Sequence, residues 1–145
     1  MHGIEIVDIA HAIQLAVAPV FLLSGVGVLL GVLTSRLARV VDRARNLERE
    51  LRIATGNEPD DAREQLRAMA RRARYINYAI TFATVGGFST ALVVALLFVS
   101  TFVPTNLAPS VAVLFVFAMI SLLAAFLSFL IEIRIAVAAL RIGGA

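Results

Sequence analysis

The residues of this chain that could take part in chemistry are few, and most of them are charged. Near the amino terminus two acids, Glu5 and Asp8, precede His11 and Gln14. Carboxylates at the entrance of a pore attract cations, whereas a metal site needs more ligands than an Asp and a His three residues apart. These four residues are therefore candidates for an outer mouth. The alternative is that they are polar side chains at a membrane interface. We expect no metal and no other cofactor.

A second set of charged residues lies at the ends of the long apolar stretches. Glu132 comes at the end of the last stretch, and Arg36 and Arg74 flank the first and second. Charges beside a membrane span are costly and are usually paired, so Glu132 with one of these arginines is a candidate contact between helices. The alternative for Glu132 is a solvated acid at the boundary. Two helical turns at the end of the first span contain Arg36, Arg39, Asp42 and Arg43, which predict either a charge network between helices or a selectivity ring on the inner side. The predicted inner charge network consists of Arg36, Arg39, Asp42, Arg43, Glu132 and Arg134.

Enzymatic motifs are missing from the sequence. There is no cysteine, and both histidines lie within the first eleven residues. The nucleophile-elbow, zinc-protease and phosphate-loop patterns are absent as well. We therefore expect neither an enzyme nor a nucleic-acid-binding protein, since acids dilute the arginines and no aromatic residues alternate with them.

The elements that must position these residues are apolar. Of the 145 residues 60% are hydrophobic and 16% charged, with a mean hydropathy of +0.91, while a soluble domain has about 25% charged residues. The apolar residues form three blocks, at 9–34, 76–103 and 110–131. Each block exceeds the ~18 residues that indicate a membrane span. The sequence predicts an all-α integral membrane protein with three transmembrane helices.

The charge distribution predicts the topology. All 13 basic residues are arginines, and the eleven between residues 36 and 74, with seven acids, leave that segment with a net charge of +4. Arginine-rich segments beside a span stay in the cytoplasm. The amino terminus is then outside and the carboxyl terminus cytoplasmic, and the connection at 104–109 carries no charge.

The segment between the first two spans has a helical pattern of its own. Apolar residues recur at alternating spacings of three and four, break at 55–59, and then resume, which is typical of a coiled-coil seam. We predict a long cytoplasmic antiparallel helical hairpin over residues 36–75. It separates 1–35, the outer amino terminus and first transmembrane helix, from 76–145, the second and third transmembrane helices with a short cytoplasmic tail. The seam residues are Leu37, Val40, Ala44, Leu47, Leu51 and Ala54, then Ala62, Leu66, Met69, Ala73 and Ile76.

Small residues recur along the spans, and Pro19 should kink the first of them. Small side chains let helices approach closely, which is the main attraction between helices in lipid. These rows predict a homo-oligomer; the alternative is that they pack the three helices of one chain. The rows contain Ser24, Gly27 and Gly31 in the first span and Ala79, Ala83, Gly87, Ala91 and Ala95 in the second.

Two runs carry a resemblance to a known family. Residues 18–25 read Ala-Pro-Val-Phe-Leu-Leu-Ser-Gly, and residues 34–45 read Thr-Ser-Arg-Leu-Ala-Arg-Val-Val-Asp-Arg-Ala-Arg. The chain resembles the small bacterial inner-membrane proteins grouped as domain-of-unknown-function family twenty-seven twenty-one. The resemblance implies three spans and a multi-pass location in the bacterial inner (cell) membrane. It brings no activity and no catalytic residues.

Two functions fit these features. The first is a channel-like or transport-related homo-oligomer that passes cations, with the outer-mouth residues at its entrance. The alternative is a non-conducting scaffold or adaptor whose hairpin binds a cytoplasmic partner protein by helix pairing. In either case the arginines beside the spans should contact anionic lipid headgroups.

Overall fold

The computed structural model describes residues 6–53 and 60–142, and the side chains of 6–53 and 63–138. These residues form three α-helices, α1 (Ile6–Ile53), α2 (Asp60–Phe102) and α3 (Ala108–Ile142). No strand occurs within the described ranges. The prediction of an all-helical chain with three long helices is confirmed. Glu5 and the turn predicted at 55–59 lie outside the described residues.

The break between α2 and α3 has a local chemical cause. Pro104 has no amide hydrogen and disfavours helical geometry in the residue before it, so α2 ends at Phe102. The Asn106 side chain then accepts a hydrogen bond from the Ala108 amide (3.1 Å), which satisfies one of the free donors at the start of α3. Pro109 follows, where a missing amide hydrogen costs little.

The helices have the length and surface of membrane spans. With 48 residues, α1 is roughly 72 Å long, against about 30 Å of hydrocarbon in a bilayer. Within the described residues, α1, α2 and α3 are all long and apolar enough to cross a membrane. Large apolar side chains such as Phe21, Phe88 and Leu123 are 75%, 66% and 62% exposed. Lipid can cover such side chains at no cost, so the chain is a multi-pass membrane protein.

The third helix extends further than its apolar block. The block predicts a span that ends at residue 131, whereas α3 continues to Ile142. Half-buried Ile133, Ile135 and Ala136 keep an apolar stripe going beyond the charged residue Glu132. The segment predicted as a short tail is therefore helical through Ile142.

The described residues fall into two compact units, and the first contains residues 1–30 and 82–123. In this unit α2 lies against both other helices at two adjacent glycines. A Cβ atom on Gly86 would be 2.8 Å from the Leu122 side chain of α3, and one on Gly87 would be 3.1 Å from Val26 of α1. The Thr90 hydroxyl, also buried, donates to the Gly86 carbonyl oxygen (2.8 Å). Small residues are thus needed here for close packing within one chain.

The second unit contains residues 31–81 and 124–145. Its fully buried side chains include Leu33 of α1, Ile76 and Ala79 of α2, and Ala125 of α3. The seam residues that the structure describes between positions 36 and 76 are all buried or half-buried, so the predicted stripe does face protein. These residues are Leu37, Val40, Ala44, Leu47, Leu51, Leu66, Met69, Ala73 and Ile76.

The rows of small residues differ in their burial. Part of the second row is buried, namely Ala79, Ala83 and Gly87, whereas Ala91 and Ala95 are exposed. Within one chain the buried stripe continues instead through Gly86, Thr90 and Val93, so the second half of the row is not used for packing inside the chain.

The row in α1 is exposed along its whole length. Ser24, Gly27 and Gly31 all lie on the surface of the chain, and no atom lies within 4 Å of a Cβ built on either glycine. The Ser24 hydroxyl is satisfied by the Val20 carbonyl oxygen of its own helix (3.4 Å). Pro19 is buried, and α1 runs past it as one helix from Ile6 to Ile53.

Candidate functional site

A buried carboxylate joins the three helices of the second unit. Arg36 of α1 donates from Nη2 to Oε2 of Glu132 at 2.8 Å. Arg72 of α2 donates from Nε and Nη2 to the other oxygen, Oε1, at 3.1 and 3.0 Å. Each carboxylate oxygen therefore belongs to a different arginine. We call Arg36, Arg72 and Glu132 the ionic triad.

The helical register explains why these three residues meet. Glu132 is seven residues after the buried Ala125, and Arg72 is seven residues before the buried Ala79. Seven residues make two helical turns, so each charged residue lies on the buried stripe of its own helix. Arg36 lies three residues after Leu33, on the buried face of α1. The triad is the charged continuation of three apolar stripes.

The triad is largely shielded from its surroundings. The Glu132 side chain has 0% exposure, and the side chains of Arg36 and Arg72 are 28% and 27% exposed. Charges at low dielectric attract strongly, but they also lose their hydration, so a buried pair gains little net stability. Removing one partner is different, because it leaves an uncompensated charge and typically costs about 3–5 kcal/mol. Such an arrangement fixes which faces of the helices meet.

An aromatic ring supports one of the arginines. The Arg36 guanidinium carbon lies 5.2 Å from the centroid of the Phe129 ring. Phe129 precedes Glu132 by three residues, so ring and carboxylate share one face of α3. A guanidinium over a ring face gains about 0.5–2 kcal/mol by cation–π attraction, depending on its hydration. Arg36 is thus held by two groups of the same helix.

Other members of the inner charge network do not reach the triad. Arg39, Asp42, Arg43 and Arg134 are exposed, and none of them hydrogen-bonds to Glu132. The possibility of a solvated acid at Glu132 does not hold, because the side chain is fully buried. Glu132 pairs with Arg36, one of the two predicted arginines, and its second partner is Arg72 instead of the predicted Arg74.

The outer-mouth residues lie on different faces of α1. Asp8 and His11, with Ala12 and Leu15, line a cavity of about 590 Å³ in the first unit, and the other wall is the end of α2 with Leu97, Ser100, Thr101, Phe102, Val103 and Pro104. Gln14 is exposed and does not line this cavity. Helical geometry accounts for the difference, because residues 8, 11, 12 and 15 share a face that excludes residue 14. Glu5 lies outside the described residues.

Among the described residues, no group of three or more His, Asp or Glu side chains is close enough to hold a metal ion. Asp8 and His11 do not gain a third such ligand from α2, whose cavity wall offers hydroxyl groups and apolar side chains.

Three long apolar helices with an ion cluster where they meet define a multi-pass helical membrane protein. Within that class, the chain belongs to the family described as "Protein of unknown function (DUF2721)", whose model matches residues 16–142. The match includes both runs that carried the resemblance and all three residues of the ionic triad, and it confirms the resemblance. No curated protein and no solved structure matches the chain.

Proposed function

We propose that this protein is a homo-oligomeric, non-conducting scaffold of the bacterial inner membrane, whose helical arms bind a partner protein in the cytoplasm. The observation that carries the proposal is the length of the helices beyond the triad. From Arg36 to the end of α1 at Ile53 is roughly 25 Å, and from Arg72 back to the start of α2 at Asp60 is roughly 18 Å. A membrane span does not need such extensions, whereas a platform for helix pairing does.

The surface of these arms suits a protein partner. Their half-buried seam faces protein within the second unit, while the exposed positions of α1 outside the seam carry charges of both signs at Arg45, Glu48, Arg49 and Glu50. Mixed charges of both signs favour selective pairing with a helix of complementary pattern over binding to nucleic acid. The amino terminus is outside and the carboxyl terminus cytoplasmic in this proposal, because the arginine-rich segment marks the inner side.

Homo-oligomer formation rests on the first row of small residues. Ser24, Gly27 and Gly31 are exposed in the single chain, while part of the second row is already used inside it. A glycine pair four residues apart lets two α1 helices approach closely in lipid. A second copy of the chain would cover this row.

A cation channel remains the second candidate, and the cavity that contains Asp8 favours it. A carboxylate, an imidazole and two hydroxyl groups are suitable ligands for a cation at an entrance. However, Asp8 and His11 line this cavity against α2 of the same chain, which places Asp8 away from the proposed interface between copies. Positive charge from the arginines at the inner end would also oppose cation flow.

Purified protein in liposomes distinguishes the two functions. The scaffold predicts no cation flux at any voltage or pH, with the oligomer intact by mass measurement. Cation flux that falls on substitution of Asp8→Asn would instead establish the channel. For the oligomer, Gly27→Ile with Gly31→Ile should produce monomers, whereas Gly25→Ile, on a different face of α1 and equally open, should not. If the complex formed by the double variant Gly27→Ile, Gly31→Ile kept the mass of the wild-type oligomer, the proposed interface would be contradicted.

A further inference from the structure

The ionic triad carries an unbalanced charge. Two guanidinium groups share the single Glu132 carboxylate, and arginine stays protonated at any physiological pH, so the net charge is +1. The next charged residues along α1 and α2 add to it, because Arg39 follows Arg36 by one turn and Arg71 and Arg74 flank Arg72. A partly shielded positive charge of this kind attracts an anion strongly.

The two arginines also retain hydrogen-bond donors for a ligand. A guanidinium has five N–H donors. Arg36 uses Nη2 and Arg72 uses Nε and Nη2 toward Glu132, so the Nη1 group of each and Nε of Arg36 make no hydrogen bond to a described residue. Both side chains keep more than a quarter of their surface accessible. Planar donor groups of this type match the oxygens of a phosphate.

A groove lies within one helical turn of the triad along α2 and α3, and no triad side chain lines it. Its volume is about 540 Å³, and its walls contain Arg67, Arg71 and Ile135, together with Arg63, Glu64 and Ala68. Arg71 is next to Arg72 in the chain, and Ile135 is one helical turn beyond Glu132. Glu64, the acid in the groove, is seven residues from Arg71, roughly 10 Å along α2. The end of the groove nearest the triad is therefore basic, with an apolar side chain on α3.

The depth of this region in the proposed membrane arrangement fits a lipid headgroup. Arg72 precedes Ile76, where the second apolar block begins, by roughly 6 Å. Headgroup layers are about 5–7 Å thick on each side of the hydrocarbon. We infer that the triad and the adjoining end of the groove form a binding site for the phosphate of an anionic phospholipid. The inference rests on the proposed membrane orientation of the arms but not on a partner protein.

Native mass spectrometry of the full chain, released from mixed micelles, tests this site. The probe is phosphatidylglycerol titrated against phosphatidylcholine, with the number of lipids retained per subunit as the readout. Glu132→Gln removes the counter-charge and should raise phosphatidylglycerol affinity about fivefold, since one unit of charge is worth about 1 kcal/mol near such lipids. The apolar triple variant Arg36→Met, Arg72→Met, Glu132→Leu should lower that affinity at least about fivefold. If the triad had only a structural role, both variants would change the phosphatidylglycerol affinity in the same direction.

Two surface variants keep the test decisive if the buried ones fail to fold. Arg39→Gln, one turn from Arg36, should lower phosphatidylglycerol affinity by about fivefold. Its matched control is Arg49→Gln on the same helix, roughly 20 Å from Arg36 and beyond the screening length of about 10 Å, which should change affinity less than about twofold. Equal effects of the two variants would overturn the inference.

Two further arms identify the ligand. Equal retention of phosphatidylglycerol and phosphatidylcholine would overturn the site. Competition between inorganic phosphate and phosphatidylglycerol would support the site, because it would show that the arginines bind the phosphate group that both ligands carry. Saturation by inorganic phosphate without any retention of phosphatidylglycerol would assign the site to a soluble anion and overturn the lipid assignment. Subunit number is read from the same spectra, so failure of the oligomer and failure of the lipid site are separate results.

Discussion

Arg72 of α2 and Glu132 of α3 meet through two hydrogen bonds to a single carboxylate oxygen, at 3.1 and 3.0 Å. The second oxygen is left for Arg36 of α1. One fully buried side chain therefore contacts both other helices, and its register determines the registers of α1 and α2 in this unit. Several properties of the protein should depend on that single carboxylate.

Replacing the carboxylate should destabilise the protein. Glu132→Ala leaves two partly buried guanidinium groups without their anion, and we expect a loss of about 3–5 kcal/mol. Thermal unfolding in detergent, followed by circular dichroism at the helix band, measures the change. Glu48→Ala on the exposed face of α1 is the matched control and should have little effect.

The apolar triple variant of the triad separates specificity from stability. Because desolvation offsets the attraction in a buried ion cluster, Arg36→Met with Arg72→Met and Glu132→Leu should recover most of the stability lost in Glu132→Ala. A triple variant as unstable as Glu132→Ala would mean that the ion pairs contribute far more net stability than their burial suggests.

Arg72 and Arg74 should respond differently to the same substitution. Arg72→Gln deprives Glu132 of both hydrogen bonds to Oε1, with an expected cost of about 3 kcal/mol or more. Arg74→Gln removes an exposed arginine that does not contact Glu132, and its melting temperature should stay near the wild type. Comparing the two melting temperatures is enough. If Arg74→Gln were the more damaging change, the assigned partner of Glu132 would be wrong.

A methyl group at Gly86 should crowd the first unit. The added Cβ would lie 2.8 Å from Leu122 Cγ and 3.2 Å from the Ala118 carbonyl oxygen, and overpacking of this kind costs about 1–3 kcal/mol. Gly25→Ala meets nothing within 4 Å and should be neutral or stabilising, because alanine favours helix. Combining Gly86→Ala with Leu122→Ala, which removes the clashing Cγ and Cδ2 atoms, should restore part of the loss in a double-mutant cycle. Simple additivity of the two losses would argue against this contact.

The topology can be tested by labelling, since the chain has no cysteine of its own. Asn46→Cys lies on the exposed face of the α1 arm, and Thr105→Cys lies in the exposed connection between α2 and α3. A membrane-impermeant maleimide should label Thr105→Cys on intact cells and Asn46→Cys only after the membrane is opened. The reverse pattern would invert the proposed orientation.

The sequence predicted the helices well because membrane burial leaves a strong signal. Long apolar blocks and the break around Pro104 place the spans, and the alternating seam predicts that α1 and α2 continue beyond them. It underestimated α3, because Glu132 and Arg134 looked like the start of a polar tail. A buried acid neutralised by arginines on other helices does not end a helix, but that neutralisation depends on tertiary contacts that no local pattern reveals.

The site was only partly predictable for a related reason. Arg74 was predicted because it lies closer to the apolar block. Arg72, however, is seven residues before the buried Ala79 and therefore lies on the same face of α2. The spacing of the sequence thus contained the information that identifies Arg72. The neighbour that Asp8 and His11 face was harder to predict from the sequence. Their common face on α1 follows from helical geometry, but the packing of that face against the end of α2 required the structure.

The order of the triad along the chain has a consequence for biogenesis. During synthesis the ribosome delivers both guanidinium-bearing helices before it delivers Glu132, the carboxylate that both arginines contact. Until α3 inserts, the nascent chain exposes two unmatched cations at the places where its helices must close. Closure of the three helices at this point therefore has to wait for the synthesis and insertion of α3.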